Sequence, residues 1–260
     1  PSGVDGIYAA QGDLHPQGIR NNGRKGKISM RGRIAAKGEK KAGYGTATRR
    51  TSAAPRQTTF DARTALLDAT SNLMRENFGD EPSVVEIAQR AAVNPGLISY
   101  YFGGKDKLLL ALLTRDFEQG QAQLRDLIQS NRPVLDKLRI HISGLINLYF
   151  KYPYLNQLTL ILVRRGTPAI VEEVTEKLVR PIFDAHEALL KEGIAAGDIK
   201  PVDSMLFYFT VLGACQRIFD GQYSLGHLFG YKGVDADIKR KLIRHTTDML
   251  LFGIAVEQRP

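Results

Sequence analysis

Two short helical signals separated by only three residues leave this chain little choice of local architecture. Ser83 has the character of a helix N-cap, Glu86 stands three residues on to complete a capping box, and Val84, Val85, Ile87 and Ala88 supply the apolar run. That helix runs to about Ala91. Asn94 is a second N-cap and Pro95 suits a first helical position, so a further helix carries Gly96 to Phe102 until Gly103 and Gly104 stop it. Only Ala92, Val93 and Asn94 lie between, the length that a helix-turn-helix needs to hold its helices at a steep angle. Val93 is placed to plug a small core with Ile87, Ala88 and Ile98. Upstream, Phe60, Leu66, Leu67, Leu73, Met74 and Phe78 recur at near-helical spacing, with Asp61 and Arg63 in the first turn and Gly79 at the exit, which predicts an amphipathic helix of about five turns.

The rest of the chain also reads as helix. A long helix is expected over about Lys105 to Gln129, then others near 134–152, 153–165, 168–196, 203–220 and 236–255. Pro181 should kink or split the 168–196 stretch, because proline cannot donate the helical hydrogen bond. Residues 219–234 mix glycines with aromatics and read as a loop. β-branched runs are short and lie inside helical periodicity, so the expected fold class is all-α.

Charge is distributed very unevenly. Residues 1–59 hold twelve Lys or Arg against three acids, so this segment alone carries the +9 of the whole chain. It is rich in Gly, Ser, Thr and Asn, buries too little apolar surface to offset ordering entropy, and is expected to be disordered over residues 1–58. Two readings stand side by side. One is a basic arm that adds phosphate contacts; the other is a leader or expression remnant, since position 1 is not Met and Met30 could start the chain. The single Cys215 forms no internal disulfide and reads as a small buried residue, and the five histidines lack metal-ligand spacing, so no cofactor or metal is expected. No apolar stretch is long enough to span a bilayer, and no signal peptide opens the chain.

The segment from Ser83 to Leu108 resembles the DNA-binding signature of the TetR family. Ser83, Ile87-Ala88, Val93-Asn94, Gly96, Tyr101-Phe102 and Lys105-Asp106-Lys107-Leu108 fit the pattern in register, over about 50 residues from Phe60. Asn77-Phe78-Gly79 departs from it, since the family more often places glycine before the aromatic. The resemblance implies an N-terminal three-helix helix-turn-helix domain (59–108) joined by a long helix to an all-helical ligand-binding and dimerisation domain (109–260). It also implies a homodimer on a palindromic double-stranded DNA operator, most often repressing transcription, in the bacterial cytoplasm at the nucleoid. In the family the last two helices pair across a two-fold axis, which suits the apolar Leu206, Phe207, Phe209, Ile243, Met249, Leu250, Phe252 and Ile254.

On a recognition helix whose start enters the major groove, the residues free of packing are Asn94, Pro95, Gly96, Leu97, Ser99 and Tyr100. Ser99 and Tyr100 can hydrogen-bond base edges, Leu97 can lie against a thymine methyl, and Gly96 permits close approach. Ser83, Tyr101 and Lys105 occupy positions where the family contacts phosphate, and Arg90 is placed to do the same. Each has a plainer reading as well: Ser83 as a cap, Tyr101 as core, Lys105 as a solvated lysine. Residues 60–115 hold six basic and seven acidic side chains, so local placement must outweigh net charge.

An unidentified small-molecule effector is expected among the helices from about 134 to 212, with Tyr149, Tyr152, Phe183 and Tyr208 as apolar walls and His141, Arg164 and His186 as polar anchors. These residues also have ordinary structural roles. No phosphate loop, nucleophile elbow or carboxylate-histidine cluster argues for an enzyme. The competing class is a non-specific architectural protein that binds DNA through the basic tail.

Overall fold

The computed structural model describes residues 61–256. Among them every element is helical except one isolated antiparallel bridge, Ile199 to Ala255. Phe60 and the basic tail lie outside the described residues. The elements are α1 (Ala62–Glu76), α2 (Val84–Arg90), α3 (Gly96–Phe102), α4 (Lys105–Gln129), α5 (Val134–Lys151), α6 (Leu155–Arg165), α7 (Pro168–Val174), α8 (Arg180–Ala196), α9 (Ser204–Asp220), α10 (Gln222–Phe229) and α11 (Ala236–Ile254).

Local signals explain most boundaries. Asp61 caps α1 by accepting from the Arg63 N–H, Ser83 and Glu86 close the capping box of α2, and Asp203 and Asp235 cap α9 and α11. Gly103 ends α3 in the left-handed region at φ 75°. At 25 residues, α4 is about 37 Å long. It packs against α1 and α3 at one end and against α5, α6, α7 and α8 along its length. Helix α5 is the hub of the remainder, touching α4, α8, α9 and α11. One apolar cluster runs through both regions, from Leu66, Ile87 and Ile98 through Leu108 and Leu112 to Ile142, Leu189 and Val211.

Two expectations need correction, and a third holds with its break placed more closely. First, α1 is shorter than five turns, and Phe78 lies beyond it, 71% exposed at φ 54°. The chain turns there because the Gly79 N–H donates to the Met74 carbonyl, and a Cβ on Gly79 would stand 2.9 Å from the Gln157 side chain. Phe78 thus takes a left-handed conformation that a glycine in its own place would adopt without strain.

Second, residues 219–234 are not all loop. Helix α10 sits between Gly221 and a left-handed Gly230, and the Tyr223 and His227 rings stack at 4.0 Å one turn apart. Its large apolar residues Tyr223, Leu228 and Phe229 are exposed, so there is no buried stripe whose period could reveal it.

Third, the break in the 168–196 stretch begins before Pro181. Residues Thr175–Val179 form a π-helical turn, and Pro181 sits in the first turn of α8. Proline at 181 removes the N–H that would have bonded the Lys177 carbonyl four residues back. That freed carbonyl instead accepts from the Gln121 Nε2 of α4 at 2.6 Å.

Candidate nucleic-acid interface and ligand cavity

The turn between α2 and α3 is built from backbone and one side chain. Ala92 takes φ 54°, the Val93 N–H donates to the Ala88 carbonyl, and Asn94 Oδ1 accepts from the Gly96 N–H at 2.8 Å. Pro95 is already helical in conformation, which makes Asn94 the working cap of α3. Ile98 and Phe102 are buried and seat α3 on the core, with the Arg63 guanidinium over the Phe102 ring at 5.2 Å. The opposite face presents Asn94, Pro95, Gly96, Ser99 and Tyr100, with Tyr100 78% exposed and edge-on to the half-exposed Tyr101 at 5.0 Å. Leu97 is half-buried against the core, so less of it is free than its place in the sequence suggests.

The expected phosphate cations are not free in this structure. Arg90 makes two hydrogen bonds of 2.8 Å to Glu76, and that partner holds the Glu76 carboxyl below its ordinary range. Lys105 Nζ lies 2.5 Å from Glu81, which also accepts from Arg165 Nη1 at 2.9 Å. Ser83 spends its hydroxyl on the Glu86 N–H. The Arg90–Glu76 pair is about half exposed and weak in water, so a phosphate can compete for Arg90, whereas Lys105 and Glu81 are largely covered and hold each other more firmly. Glu81 ties the start of α4 to the end of α6, a link that residue spacing does not reveal.

Behind this face a buried polar network joins α1, α4 and the start of α6. Tyr154 donates to Asp116 Oδ2 at 2.5 Å and shares a hydrogen bond of 2.7 Å with Ser71. Arg115 donates to Asp116 and to Asp68. Burial pushes the Asp116 carboxyl up, against the pull of the Tyr154 and Arg115 bonds. The Tyr154 phenol is likewise pushed up, by burial and the Asp116 charge beside it.

A cavity of about 110 Å³ opens among α4, α5 and α8, walled by Phe117, Leu124, Ile140, Leu145, Leu148 and Ile182, with Gln121, Gln123 and His141 as its polar edges. Of the seven expected ligand residues only His141 borders it. His186 lies directly behind, with the two Nε2 atoms 2.8 Å apart, and packs edge-on against Phe207 and Tyr208. Phe183 meets Tyr208 at 5.8 Å, and Tyr149 meets Phe219 at 6.2 Å, so these rings fill helix interfaces and not the cavity. Tyr152 follows α5 under the Lys151 ammonium, and Arg164 is exposed. The α4 wall went unread because a linking helix carries no sign of which neighbours will cover it. Burial lowers His141 to about 4 and His186 to about 3, which keeps both rings neutral. Cys215 is buried and its thiol is pushed up to about 12.

The last helices expose an apolar face. Met205, Leu206 and Phe209 of α9 and Met249 and Phe252 of α11 are more than half exposed, and Phe252 reaches 80%. Phe207 and Ile254, expected on the same face, are buried in the core instead. Among the described residues no three metal-ligating side chains cluster, and no helix is long and apolar enough to cross a membrane.

The comparisons with known proteins meet this geometry at both ends. Residues 66–112 match the model of bacterial regulatory proteins of the tetR family, and residues 132–259 match a tetracyclin repressor-like C-terminal domain. The regulator RutR of Escherichia coli is 24% identical over 135 residues, which is 52% of this chain and 63% of RutR. The fatty acid metabolism regulator protein of Bacillus subtilis is 25% identical over 135 residues, 52% of this chain and 69% of its own length. The structure of FadR from Bacillus subtilis in complex with stearoyl-CoA shares the fold at a TM-score of 0.56, with 20% identity over 74% of this chain and 98% of that one.

Proposed function

The chain belongs to the TetR family of bacterial transcriptional regulators, and from that membership we propose that it is a ligand-responsive, sequence-specific repressor that binds a palindromic operator as a homodimer. The observation that carries this reading is the placement of α4. One continuous helix packs on the recognition unit at its start and forms a wall of the apolar cavity farther along.

In this reading residues 59–108 are the DNA-binding domain and 109–260 the sensing and dimerisation domain. Asn94, Pro95, Gly96, Leu97, Ser99 and Tyr100 face the major groove, and Ser83, Arg90, Tyr101 and Lys105 meet phosphates, with Arg90 and Lys105 exchanging carboxylate for phosphate on binding. The exposed α9 and α11 faces pair across a two-fold axis, which sets two α3 helices about 34–36 Å apart on one side of the duplex. An effector in the cavity shifts α4 and that spacing with it, to the extent that it binds the DNA-free state more tightly. The apolar walls, together with a fatty acid metabolism regulator among the relatives and a stearoyl-CoA complex among the structural neighbours, favour an effector with an acyl chain. Such a protein works in the bacterial cytoplasm, on the nucleoid.

Selection of DNA from a random library with the purified protein tests the reading. A two-fold symmetric sequence is the expected result. Recovery of unrelated sequences at equal affinity would instead assign the chain to phosphate-only binding, the architectural role that the basic tail allows.

A further inference from the structure

The cavity is defined as much by what it lacks as by what lines it. No lysine, arginine, aspartate or glutamate is among its walls. The cavity opens to solvent past Gln123, Ile140 and Gly144, but an ionic group carried inward to the buried His141 would be desolvated with no counter-charge, at a cost of several kcal/mol. The part of an effector that enters is therefore uncharged. Its volume is below the roughly 150 Å³ of a cavity that holds one benzene ring, so only a short apolar segment fits before the helices part. The seam that must open for a larger one contains the Gln121 bond to Lys177, since Gln121 is itself a cavity residue.

The histidine pair then specifies the polar part. His141 and His186 share one hydrogen bond between their Nε2 atoms, so one ring carries its proton on Nε2 and the other accepts there. His186 Nδ1 is fully buried and has no partner. Were His186 the acceptor, its proton would sit on that Nδ1 as a buried N–H with nothing to receive it, a rarity in folded proteins. Were it the donor, Nδ1 would be only a bare acceptor nitrogen, which is the less costly state. His186 is thus the donor, and His141 must carry its own proton on Nδ1. Both rings remain neutral at physiological pH because burial opposes their charging.

We propose that this cavity recognises the uncharged, hydrogen-bond-accepting oxygen of an otherwise apolar effector, a carbonyl of the ester, thioester or ketone type, through His141 Nδ1–H, with His186 as the positioning residue that fixes the tautomer. The proposal rests on the effector reading above and sharpens it. It selects carbonyl compounds over free carboxylates, and acceptors over amines or other pure donors.

The test uses the full chain with ¹⁵N-labelled histidine and three probes that share a six-carbon chain: methyl hexanoate, hexanoate and hexylamine. The spectrum of the free protein should show His141 protonated on Nδ1 and His186 on Nε2. Methyl hexanoate should bind by calorimetry and shift the His141 Nδ1 resonance, and hexanoate and hexylamine should bind at least tenfold more weakly. His141→Phe should weaken the ester by about 2- to 12-fold, the worth of one neutral hydrogen bond, and His186→Phe should yield a mixture of His141 tautomers. A free-protein spectrum with the opposite tautomers, tighter binding of hexanoate, or no ester binding would each overturn the proposal, and the first needs no variant to fold. Operator binding in the same samples keeps the two readings separate. An ester that shifts His141 while operator affinity stays constant would sink the effector reading and leave the cavity chemistry standing.

Discussion

The recognition unit and the cavity satisfy their polar groups in opposite ways. In α2 and α3 the decisive bonds are local: Ser83 with Glu86 three residues away, and Asn94 with Gly96 two residues away. Around the cavity and its junction with α1 the partners are far apart in sequence, Gln121 with Lys177 by 56 residues, His141 with His186 by 45 and Ser71 with Tyr154 by 83. Local bonds reassemble whenever the helix forms, so the recognition face keeps its shape as a unit. Long-range bonds hold only while their helices stay in register. A modest shift of α4 can therefore break the second set and leave the first intact, which is what a regulator with a rigid reader and a yielding sensor requires.

The largest expected effect tests whether the reader depends on the last helices at all. Leu206→Glu combined with Phe252→Glu places four like charges in a dimer formed through α9 and α11, and sedimentation should report a monomer. Operator affinity should then fall by about 10²- to 10⁴-fold, the avidity of two linked half-sites. Full affinity in a monomer would mean that α1 to α3 read DNA without help from the rest.

Acid should injure the sensor before the reader. The histidines take up protons at about 6.5 when unfolded but only near 4 and 3 when folded. The unfolded state therefore gains protons first, so the stability that the neutral pair contributes is complete above about pH 6.5 and is lost as the pH falls from there toward 4. The slope is about 1.4 kcal/mol per pH unit for each histidine. Denaturation curves at pH 7.5, 6 and 5 should show this loss, and a His141→Gln, His186→Gln variant should lose distinctly less. Parallel pH dependence in the two proteins would remove the pair from the account.

Tyr154→Phe sharpens the contrast between buried and exposed bonds. It deprives the buried Asp116 carboxylate and Ser71 of a partner, and should cost about 1–3 kcal/mol in chemical denaturation. Arg90→Ala removes an exposed pair and should leave the same curve unmoved. Equal losses would show that burial does not separate the two regions.

The smallest effect concerns the cations of the reader. Lys105→Ala should weaken binding about equally on all sequences and lower the salt slope by roughly one. Glu81→Gln frees Lys105 and Arg165 from their shared carboxylate and should tighten binding a few-fold, again without sequence preference. A loss of affinity in Glu81→Gln would indicate that the pair orients Lys105 rather than masking it.

What the sequence determined by itself follows the same division. The caps at Ser83 and Asn94, the three-residue turn and the stop at Gly103-Gly104 are set by neighbours within a few residues, and all could be placed from residue types alone. Helix α10 escaped because only Leu225 of its large apolar side chains is buried, and one residue makes no periodic stripe. The cavity escaped for a different reason. Tyr149, Phe183 and Tyr208 are as aromatic as any pocket wall, yet the packing of α8 and α9 on α5 consumes them, while Gln121, Ile140 and Leu148 become walls because α4, α5 and α8 meet there. His141 and His186 looked unrelated, and only the packing of α5 on α8 brings their Nε2 atoms to 2.8 Å. Residue order encodes bonds that close over one turn of chain; a cavity is the space left between surfaces whose partners are far apart in sequence, and only the packed helices decide which side chains bound it.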